Sequence, residues 1–279
     1  MKLTTTFSRK ASMIRSDNPL SEDQMRSVAP SIFAEGRHAS RSERYTYIPT
    51  IDVLRSLHDE GFEVFMAAQG GSRIEGKEAF TKHMLRLRHV AQGQVQGQAN
   101  EIILINSHDG CSAYQMLAGI FRFVCCNGMV CGDVAADIRI PHKGNVQGHV
   151  VDGACKVIQD FERVDGLVEQ MRARQLNVEE QIALAQQALA LRFGTDEQGR
   201  LASPVGVFAA IDYRRPEDSG HDLWTIFNRL QESLVRGGLH GRSANARNIT
   251  TRPIVGIDSN LALNRALWAL AERFLKGGV

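Results

Sequence analysis

The sequence predicts an α+β fold in which a mainly antiparallel β-sheet with a helix is followed by a helical half of the chain. Over residues 1–145, short apolar or alternating segments are separated by turn residues, a pattern typical of antiparallel strands. Over residues 146–279, apolar residues recur every three or four positions, which is typical of amphipathic helices. Because strands and helices form separate blocks, a doubly wound parallel sheet is disfavoured. We predict that the helical region packs on the sheet region, as a second domain or as part of one.

The first half begins with a polar lead-in and then contains one helix and several strands. Pro49 and Thr50 begin the helix, which covers Ile51–Glu60 and ends at Gly61. Asn106–Gly110 is a dense turn signal after a buried strand. The predicted strands are Tyr45–Ile48, Phe62–Ala68, Lys82–Val90, Glu101–Ile105, Ser112–Val124 with a break near Gly119, and Ala135–Pro141.

The second half contains four predicted helices. A long amphipathic helix covers Val150–Met171, and Asn177 with Glu180 forms a capping-type start for a helix that runs through Leu191. Two further helices are marked by Leu223–Leu234 and Leu261–Leu275, and residues 237–257 between them are predicted to be irregular.

Composition and charge place the chain among ordinary globular proteins. Its 279 residues are 43% hydrophobic, and 33 Lys+Arg against 31 Asp+Glu give a net charge of +2. These values exclude a collagen, a disordered chain and a disulfide-framed miniprotein, and no apolar run reaches the ~20 residues of a membrane span. The number of cysteines, five, is odd, and no apolar signal segment precedes them. We therefore expect the protein to reside in a reducing cytoplasm.

Two familiar chemical motifs fail on inspection. Residues 71–78 have the spacing of a phosphate-binding loop, but Glu78 replaces the hydroxyl that would hold Mg²⁺, and Glu75 adds a second repulsive charge. Cys125, Cys126 and Cys131 lack the paired spacing of a zinc site and are expected to be buried thiols. We therefore predict no metal and no cofactor. His108 beside Asp109 could serve acid–base chemistry, although a turn-stabilising role is the commoner outcome.

Arginine is concentrated in three places, and 26 of the 33 basic residues are Arg. Arg suits planar recognition of phosphate, although codon usage can produce the same bias. On the strand Lys82–Val90, alternation predicts that one face packs on the core while the other presents cations to solvent. The two loops combine arginines with hydroxyls and glycines. The predicted nucleic-acid-binding residues are Arg37, Arg41, Arg44, Lys82, Arg86, Arg88, Arg236, Arg242, Arg247 and Arg252.

Four strings of residues carry a family resemblance: Ser42–Thr50, Thr81–Arg88, Asn106–Gly110 and Phe121–Val130. They resemble the phage/plasmid-like family of domain-of-unknown-function proteins that includes the YfjQ/YafZ-like members. The resemblance implies a bacterial cytoplasmic protein carried by prophages, plasmids or genomic islands, and it brings no catalytic residues. The site candidates within these strings are Asn106, Ser107, His108, Asp109, Arg122 and Asn127.

Three functions follow, in order of preference. The first is a non-enzymatic nucleic-acid-binding accessory protein with single-stranded DNA as the favoured ligand. Strands followed by a long helix are also compatible with single-strand annealing proteins, which is an analogy of fold alone. The second is a protein-interaction module that interferes with a host defence or nuclease complex. The third is an enzyme whose site joins Asn106–Asp109 to Arg122 and Asn127. We expect no membrane partner and leave self-association open.

Overall fold

The predicted α+β fold is confirmed by a computed structural model. It describes residues 3–8, 11–36, 47–72, 77–93, 97–109, 112–123, 127–131, 138–142, 144–243 and 245–277. Within these ranges an eight-stranded antiparallel sheet precedes the long helices. Its strands are β1 (Leu3–Ser8), β2 (Ala11–Arg15), β3 (Phe62–Gln69), β4 (His83–His89), β5 (Gln98–Asn106), β6 (Tyr114–Arg122), β7 (Asn127–Val130) and β8 (Ile138–Ile140).

The sheet is a meander in which β1 to β7 pair in chain order. Strand β6 carries two partners along its outer edge: β7 pairs with residues 119–122, and β8 pairs with residues 114–116. Because neighbours in the sequence are neighbours in the sheet from β1 to β7, the end of β3 lies beside the start of β4, and the end of β5 lies beside the start of β6.

The sheet is strongly curled. The Arg15 guanidinium on β2 lies 4.5 Å from the ring centroid of Phe121 on β6, although three strands separate them. In a flat sheet four strand spacings would place these strands about 19 Å apart. The curl therefore encloses one face of the sheet, which explains why both faces of β4 are buried.

The structure changes several strand predictions. The polar lead-in at the start of the chain contains the hairpin of β1 and β2, which the sequence does not predict. Tyr47 and Ile48 are not in a strand, and residues 45–46 lie outside the described ranges, as do residues 135–137 of the last predicted strand. Strand β7 was not predicted.

Gly119 does not break β6, and the close approach of two neighbours explains the glycine. A Cβ atom at this position would lie 2.8 Å from both the Met129 carbonyl oxygen and Ile103 Cδ1.

We expect Gly119→Ala to lower the free energy of unfolding by about 1–3 kcal/mol, because the neighbouring backbone must shift to admit the methyl group. Urea denaturation measures the change. Gly166→Ala is the matched control: it lies in a helix with nothing within 4 Å, and it should stabilise by about 0.5–1 kcal/mol. A neutral Gly119→Ala would contradict the close packing.

The helices begin and end where local signals place them. Asn177 caps α4 by accepting from the Glu180 amide at 2.9 Å, which confirms the predicted capping box. Asp222 caps α6, and Gly237 with a φ of 69° ends it. The helices are α1 (Glu22–Val28), α2 (Thr50–Asp59), α3 (Val146–Ala173), α4 (Val178–Phe193), α5 (Val207–Ile211), α6 (Leu223–Arg236) and α7 (Ile257–Leu275).

The chain divides into two compact units, residues 1–161 with 255–257, and residues 162–254 with 258–279. The division falls inside α3, whereas the sequence-based division was placed at residue 145. The core of the second unit contains Trp224, Phe227 and Trp268, whose ring centroids lie 5.7–6.5 Å apart. Within the described ranges, no helix combines the length and the apolar character needed to cross a bilayer.

Residues 237–257 are not irregular throughout. Strands β9 (His240–Arg242) and β10 (Asn248–Thr250) form a separate antiparallel hairpin. The prediction was wrong here because the segment is rich in Gly and polar residues and has no apolar alternation.

Candidate functional site

A buried group of polar side chains lies at the end of the sheet where β4 begins and β5 ends. At its centre is the Thr50 hydroxyl, at the start of α2. Thr50 Oγ1 lies 2.9 Å from His83 Nε2 and 3.1 Å from His108 Nε2. It also accepts a hydrogen bond from Asn106 Nδ2 at 3.0 Å. One hydroxyl at the start of α2 thus joins two imidazoles and an amide from two other segments of the chain.

Three more side chains complete what we call the Thr50 cluster. Tyr114 OH lies 3.3 Å from Thr50 Oγ1, and His142 Nε2 donates to Asn106 Oδ1 at 3.0 Å. Ser31 Oγ lies 2.9 Å from His83 Nδ1. The cluster consists of Ser31, Thr50, His83, Asn106, His108, Tyr114 and His142, all of them buried.

Burial keeps the imidazoles of this cluster neutral. Desolvation, followed by the charge of His108, lowers the pKa of His83 to about 3. Desolvation, followed by the charge of His142, lowers the pKa of His108 to about 4, although Asp109 acts in the opposite direction. Desolvation also lowers the pKa of His142. Since burial removes most of the solvation of a charged imidazole here, and the neighbouring Asp109 compensates only in part, protonation is disfavoured.

The structure brings together only part of the predicted enzyme site. Asn106 and His108 join the Thr50 cluster, and the neighbouring Asp109 carboxylate pairs with Lys77 Nζ at 3.2 Å. Ser107 is buried beside them. Arg122 is paired in register with Gln98 and with Asn127, at the opposite end of β5.

The predicted joining of these two groups is therefore wrong. Asn106 and Gln98 are eight positions apart on one strand, which corresponds to about 27 Å. The turn after β5 and the turn after β6 lie at opposite ends of the sheet because consecutive strands run antiparallel.

Sequence reasoning missed Ser31, Thr50, Tyr114 and His142 as members of the cluster. The sequence pattern indicates only that Thr50 begins a helix, because hydroxyl groups give no periodic signal of their contacts. Alternation predicts that His83 lies on the core-facing side of its strand, and its burial confirms this. A histidine in such a position indicates a buried polar partner. His83 and His108 are both 0% exposed, so these two imidazoles tie segments of the chain together and do not contact solvent. Among the described residues, no three His, Cys, Asp or Glu side chains are arranged to hold a metal ion.

Arg86 and Arg88 do not form the predicted solvent-facing cationic surface. Both are buried and both bind the buried carboxylate of Glu101. Arg86 Nη1 donates to Glu101 Oε2 at 3.0 Å, and Arg88 Nη2 donates to Glu101 Oε1 at 2.8 Å. This part of the prediction is wrong because the curled sheet encloses the face that alternation assigned to solvent.

Aromatic rings line the same enclosed face. The Arg88 guanidinium carbon lies 4.2, 4.8 and 5.0 Å from the ring centroids of Phe65, Phe121 and Phe123. The faces of these rings carry negative potential, which stabilises the guanidinium in the absence of water. Arg86 Nη1 also donates to the Met129 carbonyl at 3.2 Å. The signal available in the sequence was Glu101, the single acid of an otherwise apolar run.

The remaining predicted arginines differ in their surroundings. Lys82 is half-buried, and Arg37, Arg41 and Arg44 lie outside the described residues. Arg236 is exposed and pairs with Glu232 at 3.0 Å. In contrast, Arg242, Arg247 and Arg252 are exposed, and within the described part of the chain none of the three forms an ion pair.

These three arginines belong to an acid-free segment, residues 236–252, that we call the arginine hairpin. Its turn is closed by the Ser243 amide, which donates to the Arg247 carbonyl at 2.9 Å, and by Ala246, which has a φ of 56°. A left-handed alanine is uncommon and fixes the chain just before Arg247. Both strands line a groove of about 490 Å³. The hairpin therefore presents exposed cations beside this groove.

Comparison with known proteins defines the class of this chain. Residues 37–268 match the family model described as "Domain of unknown function (DUF932)", and the chain belongs to this family. It is 49% identical over 266 residues to the UPF0380 protein YafZ of Escherichia coli (strain K12), which covers 95% of each chain. The UPF0380 protein YfjQ of the same strain is also 49% identical over 266 residues, with the same coverage. No solved structure matches this chain.

Proposed function

We propose that this chain is a non-enzymatic nucleic-acid-binding accessory protein that contacts phosphates through the arginine hairpin. The observation that carries the proposal is the exposure of Arg242, Arg247 and Arg252 on a segment without a single acid. In line with the family resemblance, the proposed setting is the cytoplasm of a bacterium that carries prophages or plasmids.

The chemistry of the hairpin suits a phosphate backbone. A guanidinium offers a rigid fork of donors that matches phosphate oxygens, and it remains charged at any physiological pH. Arg242 and Arg247 flank a turn in which the Ser243 amide donates to the Arg247 carbonyl, so the two guanidinium groups are carried by one short hairpin and can reach neighbouring phosphates of one ligand. Phosphate contacts of this kind give affinity without sequence specificity.

Two other exposed arginines, in contrast, lie beside acids. Arg55 pairs with Glu22 at 3.1 Å, and Arg200 pairs with Asp196 at 2.8 Å. A phosphate approaching either arginine would be repelled by the neighbouring carboxylate. The contrast supports the hairpin as the place where an anionic ligand binds, and it provides a matched control.

Arg242→Ala/Arg247→Ala should weaken binding of a fluorescein-labelled oligothymidine about a hundredfold or more at low salt, since each of the two lost charged hydrogen bonds is worth ~1.5 kcal/mol or more. The slope of log K against log salt should become shallower by about 1.4, because two phosphate contacts are lost. Fluorescence anisotropy over a salt series measures both quantities.

Arg200→Ala removes an exposed arginine that is already paired, and it should leave both quantities unchanged. Absence of binding by the unmodified protein at low salt would overturn the proposal. So would equal affinities of the unmodified protein and the double variant. Retention of a host protein from nuclease-treated lysate, in the absence of any nucleic-acid binding, would favour the protein-interaction alternative.

A further inference from the structure

Two aromatic side chains close to the arginine hairpin are exposed to solvent. Phe208 lies in α5 and is 65% exposed, and Tyr213, two residues after this helix, is 50% exposed. The opposite side of α5 is packed, since Ala210 and Ile211 are buried. The segment therefore has a side that packs in the core, and the exposure of the two rings does not come from a failure of the segment to pack.

The segment that carries these rings contacts the hairpin at two points. At one end the Arg242 amide donates to the Pro204 carbonyl at 2.8 Å. A Cβ atom at Gly241 would lie 2.1 Å from the same oxygen, so the two backbones touch directly. At the other end Arg214 Nη2 donates to the Gly237 carbonyl at 2.9 Å. Phe208 and Tyr213 lie between these two points of contact along the chain.

Tyr213 is held in place from behind. The Arg229 guanidinium carbon lies 5.3 Å from its ring centroid. Arg229 is itself fixed by hydrogen bonds to the carbonyl groups of Ile211, Asp218 and Gly220. The acid beside the ring, Asp212, interacts with the Arg229 charge. A ring that is already oriented loses little conformational entropy when another flat group stacks on it.

We infer that Phe208 and Tyr213 stack with unpaired bases, so that the ligand of the arginine hairpin is single-stranded nucleic acid. This inference rests on the proposed function. Cationic side chains that follow the backbone, next to aromatic rings that accept bases, are the combination by which proteins bind single strands without sequence preference. A duplex keeps its bases stacked on one another and offers these rings nothing to stack on.

The test compares a labelled oligothymidine of about 15 nucleotides with a duplex of the same length, since single-strand sites span roughly 4–16 nucleotides. The unmodified protein should bind the single strand more tightly than the duplex. Phe208→Ala/Tyr213→Ala should weaken single-strand binding by roughly thirtyfold or more, because two base–aromatic stacks of about 1–3 kcal/mol each are lost. Its duplex binding and its salt slope should not change, because no phosphate contact is lost.

Val178→Ala is the matched control, since Val178 is an equally exposed apolar residue of α4 in the same unit. The inference is overturned if the aromatic double variant binds the single strand as the unmodified protein does, or if single strand and duplex bind equally. In those cases the proposed function stands as long as Arg242→Ala/Arg247→Ala loses binding. If the unmodified protein binds neither ligand, and sedimentation shows that the aromatic variant loses self-association, the rings belong to a protein interface and both proposals fail.

Discussion

Glu101→Gln is expected to lower the free energy of unfolding by about 3–5 kcal/mol, because it leaves two buried guanidinium groups without their counter-charge. Glu101 is 1% exposed and accepts from both Arg86 and Arg88. The amide keeps the shape of the side chain and removes only its charge. Urea denaturation followed by circular dichroism measures the change.

Two further variants separate charge from packing. Glu22→Gln removes an exposed acid that pairs with Arg55, and a surface pair of this kind is worth at most about 1 kcal/mol. Arg86→Met/Arg88→Met/Glu101→Leu replaces all three charges with apolar groups, and it should be clearly more stable than Glu101→Gln because no buried charge remains unpaired. If the triple variant is no more stable than Glu101→Gln, the loss comes from packing and the electrostatic explanation is wrong.

Acidification from pH 6.5 to 4 is expected to destabilise the fold steeply. In the unfolded chain an imidazole has a pKa of about 6.5, whereas in the fold the pKa of His83 is about 3 and that of His108 about 4. Between these values the unfolded chain binds protons that the folded chain does not. Stability is therefore complete above pH 6.5 and falls by about 1.4 kcal/mol per pH unit for each histidine as the pH decreases.

Urea denaturation at a series of pH values between 7.5 and 4.5 tests this expectation. His108→Gln should be less stable at neutral pH, yet its stability should depend less steeply on pH, since one buried imidazole is gone. His240→Gln changes an exposed histidine and should retain the original slope. An unmodified protein whose stability is the same at pH 7 and pH 5 would show that the imidazoles are not held neutral.

Local pattern was enough to predict the five longer helices and most of the central strands, but not the short helices α1 and α5. The apolar spacing over Val150–Met171 and the Asn177 capping box depend on neighbouring residues only, and both were read correctly. The hairpin of β1 and β2 was missed because a Thr-rich strand has no apolar alternation. The hairpin of β9 and β10 was missed for a similar reason.

The features of the fold and of the site that could not be predicted arise from the curvature of the sheet. Alternation on β4 correctly divided its residues between two faces, but no local pattern shows that the second face is enclosed as well. The same holds for the Thr50 cluster, whose members come from segments as far apart as Ser31 and His142. Among the predicted cations, exposure and the absence of nearby acids now separate Arg242 and Arg247 from Arg86 and Arg88.

The order of the strands has a consequence for the way this unit folds. Strands β1 to β7 pair in chain order. Apart from β2 and β3, which residues 16–61 separate, each pairing closes a short loop, so most of the sheet can grow from local contacts. The Thr50 cluster instead requires six segments distant in sequence to arrive together, and we expect it to form after the transition state. In that case the hydrogen bonds of the cluster determine the rate of unfolding and have little influence on the rate of folding.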